Sequence, residues 1–163
     1  MPIDFVERVV QLALQNVEAG GRPFASIIER DGEIIAEAAN QVAQTRDPTA
    51  HAELLAIRVA SQVLNSETFT GCRIWNMAHP CPMCLAAVYY CSPESCLFLL
   101  AREEYASLYV DDRRYFTLGN FYDEIAKPWP ERSLPMEHVV DERGRSPYRR
   151  WRELHPEGVC KAT

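Results

Sequence analysis

Two short segments about thirty residues apart dominate this sequence: His51-Ala52-Glu53 and Pro80-Cys81-Pro82-Met83-Cys84. Between them they offer one imidazole, two thiols and one carboxylate. Residues two apart on a helix do not share a face. His51 and Glu53 therefore serve one site only if it lies off the start of a helix. Cys81 and Cys84, three apart, can share the first turn of another, and Pro82 suits that turn because its missing N–H has no partner to lose. The chain is thus constrained to bring two helix N-termini to one point. Each brings partial positive charge, which favours the thiolate form of cysteine, the form that binds metal.

The donor set fits zinc. A structural zinc site is usually closed by four Cys or His ligands, whereas a catalytic one keeps a position open for water. Here there are three, His51, Cys81 and Cys84, with Glu53 beside them to move a proton. A redox Cys-x-x-Cys or a zinc ribbon would need neither the upstream histidine nor the glutamate.

The surrounding sequence alternates helical and strand periodicity. Residues 3 to 18 carry Phe5, Val9, Leu12 and Val17 at helical spacing, ended by Gly20-Gly21. Phe24 to Ile28 and Ile34 to Ala38 read as strands joined by an Asp31-Gly32 turn. Asn40 to Pro48 reads as a polar loop, followed by a helix from about Ala50 to Leu64 with Asp47 or Thr49 as its cap. Cys72 to Met77 reads as a strand, Cys81 to Tyr90 as a helix, and the very apolar Glu94 to Leu100 as a central strand. A short helix is expected over 102 to 108, a strand over Met136 to Val140, and a last helix from Ser146-Pro147 to Leu154. This order predicts a three-layer α/β/α sandwich with a mixed central sheet. At 163 residues, 47% of them hydrophobic, one domain with a substantial core is expected.

The formal net charge of -6 disfavours nonspecific nucleic-acid binding. The arginines at 143, 145, 149, 150 and 152 are interleaved with acids and read as a solvated helix face. No apolar run reaches the length of a membrane span. Met1-Pro2-Ile3-Asp4 does not look like the start of a secretion signal, so a cytoplasmic location is expected, with Cys72, Cys91, Cys96 and Cys160 reduced and buried.

The stretch from Asn40 to Leu100 resembles the cytidine deaminase superfamily, whose zinc members carry His-x-Glu followed by Pro-Cys-x-x-Cys. Within it, Gly20 to Ala25, Asn40 and the run Pro80 to Ala87 resemble the nucleobase-deaminase branch. Val88-Tyr89-Tyr90, Asp111-Asp112, Phe121 to Ile125, Pro130-Glu131-Arg132, Ser146-Pro147-Tyr148 and Trp151-Arg152 extend the likeness to bacterial guanine deaminases. The resemblance implies hydrolysis of guanine to xanthine and ammonia, with one zinc per chain. It implies that Glu53 shuttles protons and that Asp112, with Asp111 as competitor, helps ammonia leave. By the same resemblance, Asn40 and the backbone N–H of Ala52 bind the base edge and Phe24 packs on the ring. Tyr90 stands where such enzymes commonly have Trp. Tyr90, His79, the insertion over 113 to 120 and the last helix are the variable pocket walls. A homodimer is expected, with 141–163 a segment that can be exchanged between copies. Cytosine, triazines, nucleosides and, more remotely, tRNA adenosine are alternative substrates. A noncatalytic zinc-stabilised subunit would have no use for Glu53.

Overall fold

The computed structural model describes residues 3–116 and 119–158. It divides into two compact units, one reaching to Asp112 and the other beginning at Arg113. In the first unit, helix α1 (Phe5–Glu18) starts where Asp4 caps it by accepting from the Glu7 N–H at 3.0 Å. Its inward stripe is Val9, Ala13 and Asn16. Strands β1 (Ala25–Arg30) and β2 (Glu33–Ala39) form an antiparallel hairpin. Asp31 at φ 55° and Gly32 at φ 83° make the left-handed pair that a tight two-residue turn requires. Helix α2 (Val42–Thr45) interrupts the expected polar loop. Then come α3 (Ala52–Leu64), β3 (Cys72–Ala78), α4 (Pro82–Cys91), β4 (Ser95–Leu100) and α5 (Arg102–Tyr105).

The sheet order is β2-β1-β3-β4, with only the β3–β4 pair parallel. One layer of core joins α1 to the sheet: Val9, Ala13, Ala25 and Ile27, with Trp75 and Met77 against them. The opposite layer joins α3 and α4 to it through Ile28, Ala56, Ala60, Phe69, Ile74 and Val88. Neighbours Ile27 and Ile28, and Ile74 and Trp75, thus serve opposite faces, as strand alternation demands. Each of these large apolar side chains contributes about 1.5–3 kcal/mol by leaving water. The three-layer expectation is met in this unit.

Two strand expectations change. The Glu94–Leu100 strand is the outermost strand rather than a central one, and Phe98 on it is 44% exposed. An apolar run reads alike in either place, because composition reports burial and not sheet order. Met136 to Val140 forms no strand; Val139 and Val140 are exposed and lie in no ladder among the described residues.

In the second unit, α6 (Phe121–Ala126) is capped by Asn120, whose Oδ1 accepts from the Tyr122 N–H at 3.0 Å. Glu124 organises the chain after it, accepting from the Ser133 N–H at 2.5 Å, the Ser133 hydroxyl at 3.2 Å and Lys127 Nζ at 2.6 Å. The Lys127 hydrogen bond leads in holding its carboxyl below the usual range. Helix α7 (Ser146–Leu154) closes the unit. Arg143, Arg145, Arg149 and Arg150 pair with Asp141, Glu142 and Glu153, which agrees with a solvated face. Cys160 lies outside the described residues.

Candidate active site

His51 is the N-cap of α3 and Cys81 is the N-cap of α4; each has extended backbone. Neither side chain caps its helix, because both are turned toward the same point. Asp47 and Thr49, the expected caps of α3, bond to each other instead: Asp47 Oδ1 accepts from the Thr49 N–H at 2.8 Å and from its hydroxyl at 2.7 Å. Pro82 occupies the first turn of α4, as its missing N–H allows. Ala52 and Cys84 are wholly buried.

His51 Nδ1 lies 3.5 Å from Cys84 Sγ and 3.7 Å from Cys81 Sγ. All three donor atoms fall within 4.8 Å of one another. Zinc bonds of about 2.3 Å to sulfur and about 2.0 Å to nitrogen at tetrahedral angles give an N···S edge of roughly 3.5 Å, close to both N···S separations seen here, so the three residues fit the metal. Nδ1 is the His51 atom directed at the sulfurs, and Nε2 is buried with no hydrogen-bond partner among the described residues. Among the described residues this is the one group of three or more His, Cys, Asp or Glu placed to hold a metal ion.

The cysteines behave as a pair. The Cys81 thiol is lowered to about 4, first because the Cys84 side chain donates to it, then through His51, and against the cost of burial. Cys84 moves the opposite way, held protonated by that bond and by burial. A site that stabilises thiolate is one that a dication can enter by displacing the remaining proton. Glu53 stands outside the ligand group. Burial pushes its carboxyl upward, the negative charge of Cys81 adds to this, and its own backbone N–H and the Cys84 thiol pull it back.

Phe24 is half-buried and meets Tyr105 and Tyr109 edge to face, at 6.0 and 4.9 Å between ring centres. Asn40 is 2% exposed; its Oδ1 accepts from the Val42 N–H at 3.1 Å, which fixes the amide's orientation. Tyr105, in α5, is part of the wall that holds Phe24. Its hydroxyl is raised chiefly by burial; Arg102 lowers it, and the negative charges of Cys81 and Glu53 add to the rise. Nothing in its local sequence marks it; it reaches the site because α5 follows β4 directly. His79 Nδ1 donates to the Pro80 carbonyl at 2.9 Å, and the ring lies edge to face with Phe98. Asp112 is exposed and Asp111 half-buried, both beyond α5. Tyr90, the expected pocket wall, lies at the C-terminal end of α4. It is 88% exposed, about 13 Å along the helix from Cys81 at ~1.5 Å per residue.

A site of this build is matched by a family model, the cytidine and deoxycytidylate deaminase zinc-binding region, over residues 2–100. The chain belongs to that family. It is a zinc-dependent hydrolytic deaminase, with His51, Cys81 and Cys84 positioned for the metal. The deaminase is 40% identical over 151 residues to the guanine deaminase of Bacillus subtilis, a match that covers 92% of this chain and 93% of that one. A crystal structure of guanine deaminase from the same organism superposes with a TM-score of 0.83 at 39% identity, covering 91% of this chain and 92% of the other. The tRNA-specific adenosine deaminase of Aquifex aeolicus is 38% identical over 94 residues, or 58% of this chain and 62% of that one. The mixed sheet with its flanking helices is therefore the cytidine deaminase-like fold. Among the described residues no helix is long and apolar enough to cross a membrane.

Proposed function

We propose that this deaminase converts free guanine and water to xanthine and ammonia. The observation that carries the substrate is the likeness to guanine deaminase along nearly the whole chain, where the tRNA deaminase likeness stops a little past half. Zinc, when bound, makes water a competent nucleophile at neutral pH by lowering its pKa. Glu53 takes the water's proton and delivers it to the ring nitrogen beside the amino-bearing carbon. Its upward-shifted carboxyl suits a group that must both accept and return a proton. The Ala52 N–H, at a helix start where backbone donors lack helical partners, holds the substrate carbonyl oxygen. Asn40 pairs with the base edge through its amide nitrogen, since its oxygen is already engaged by Val42. Phe24 packs on the ring. Glu53 then takes the hydroxyl proton of the tetrahedral intermediate and passes it to the amine, which leaves as ammonia with the help of Asp112; the half-buried Asp111 is the competitor for that helping role.

In this reading the active form is a cytoplasmic homodimer in which residues 141–163 are exchanged, and nucleic acid is not a partner. Ammonia release from guanine, adenine, cytosine, guanosine and an aminated triazine tests the assignment. Guanine is turned over, with adenine and cytosine at least ~100-fold worse in kcat/KM, because a site built for one polar edge leaves buried groups unpaired with another. A protein that ignores guanine and deaminates guanosine or the triazine overturns it.

A further inference from the structure

Asn16 is 6% exposed on the last turn of α1, yet its side chain is polar and lies among apolar neighbours of that helix face. A buried carboxamide is costly unless its hydrogen bonds are made. Here two donors and one oxygen are all engaged. Nδ2 donates to the carbonyl of Arg22 at 2.7 Å and to that of Asn40 at 2.8 Å. Oδ1 accepts from Gln44 Nε2 at 2.9 Å and from Gln41 Nε2 at 3.3 Å. The Arg22 carbonyl also receives the Phe24 N–H at 2.8 Å, and the Asn40 N–H donates to the Phe24 carbonyl at 2.9 Å. Asn16 therefore closes a loop of hydrogen bonds that contains the backbone of Phe24 and of Asn40. Gly21 packs against it so closely that a Cβ there would stand 2.4 Å from Asn16 Nδ2 and 2.4 Å from Gln44 Nε2.

We propose that Asn16 is a positioning residue for base binding: it sets the backbone of Phe24 against that of Asn40, so that ring and amide meet the substrate together. This rests on the reading that Phe24 and Asn40 receive the base. Asn16 itself touches none of the zinc ligands among its hydrogen bonds, so its loss acts on substrate binding and leaves the metal in place.

The test is Asn16→Asp, which keeps size and acceptors but turns an oxygen toward two carbonyls. With guanine as substrate, KM rises about tenfold, the scale of buried hydrogen bonds lost, while kcat falls less than about threefold. Zinc stays at one per chain. Gly21→Ala is the companion variant, since it displaces the Asn16 amide without changing its chemistry; it raises KM in the same direction, and it carries the test if Asn16→Asp does not fold. An unchanged KM in zinc-loaded Asn16→Asp, or in Gly21→Ala where that variant carries the test, overturns the proposal. So does a fall of kcat and zinc together at constant KM, the mark of a merely structural role. Asn40→Ser separates the two ideas. If it leaves KM unchanged, the base-binding reading has failed and this proposal with it. If it raises KM while Asn16→Asp does not, the positioning role alone has failed. Should guanine not be turned over, the same variants are measured on whichever compound of the panel is.

Discussion

The two units of this chain differ in what they bury. Through Asp112 the interior is Ile27, Ile28, Ile74, Phe69 and small alanines, closed on both faces of a sheet. From Arg113 onward the one buried residue among those described is Glu124, a carboxylate. Leu134, Met136, Val139, Val140, Tyr148 and Leu154 stand 47–82% exposed in that second unit. The first unit has the burial that folds a chain; the second has apolar side chains with little of its own to cover them. Metal chemistry belongs to the first unit, and in our reading substrate choice and assembly belong to the second. Each prediction below presses on that division.

The largest effect is expected at the ligands. Cys84 is wholly buried at the start of α4. Cys84→Ala removes one of three ligands, and metal-binding free energy is folding free energy where the site forms only in the folded state. Zinc content falls below a tenth of wild type, on the order of one pKd unit or more per lost ligand, and deamination is lost with it. Stripping wild type with a chelator lowers Tm in the same direction. A Cys84→Ala protein that keeps stoichiometric zinc breaks the placement of the metal in the first unit.

Glu53→Gln comes next. It stands outside the ligand group, so zinc stays and Tm changes little. Losing the proton shuttle costs about 10²–10⁴ in kcat, the usual worth of a positioned general base. Elemental analysis alongside turnover decides it; metal lost with activity would make Glu53 a ligand.

Removing residues from Pro147 onward tests the second unit. Zinc remains bound, because every ligand lies before Asp112. Discrimination between guanine and guanosine narrows about tenfold or more, the size of effect expected when a segment that excludes the larger substrate is absent. Unchanged selectivity with unchanged oligomeric state would confine the whole activity to the first unit.

Most of the first unit was legible in the sequence for a physical reason: its signals are local. A hairpin needs its Asp31-Gly32 pair at positive φ, and a metal-binding helix start needs its ligands in one turn. The failures are non-local. Whether Ser95–Leu100 is central or outermost depends on what pairs beyond it, and no run of residues encodes that. Tyr105 reaches Phe24 through chain path and not through motif. Met136 to Val140 has the composition of a strand but no ladder to join among the described residues. Strand propensity measures fit to a pleated, half-buried surface, so it expresses itself only where a neighbour supplies that surface. The Asn16 network was invisible for a related reason: an asparagine at a helix end is ordinary until the loops it holds are known to carry Phe24 and Asn40.

Asp112→Asn and Asp111→Asn sharpen the border between the units, where the chain leaves α5. If Asp112 protonates the leaving amine, its asparagine variant lowers kcat about 10–100-fold with KM nearly unchanged, because the charge matters in the transition state. If the half-buried Asp111 holds the role, the pattern reverses between the two variants. Equal, full activity in both removes this pair from the mechanism.

The smallest effect is expected at Tyr90, and it separates what one chain does from what an assembly does. The residue is 88% exposed at the end of α4 opposite the ligands, and Tyr89 beside it is 77% exposed. Substitution of a surface side chain with no buried partner changes stability by no more than about 0.5 kcal/mol. Cys81 and Cys84 lie at the start of α4 and Tyr90 at its end. Tyr90→Ala is therefore expected to leave kcat and KM within about twofold of wild type and Tm nearly unchanged. A tenfold rise in KM would show that Tyr90 acts on base binding, by contact with the base or by holding a second copy in place. Sedimentation of the variant then decides between the two routes. Loss of the dimer together with the raised KM means that Tyr90 holds the interface, whereas a raised KM in an intact dimer places its ring against the base.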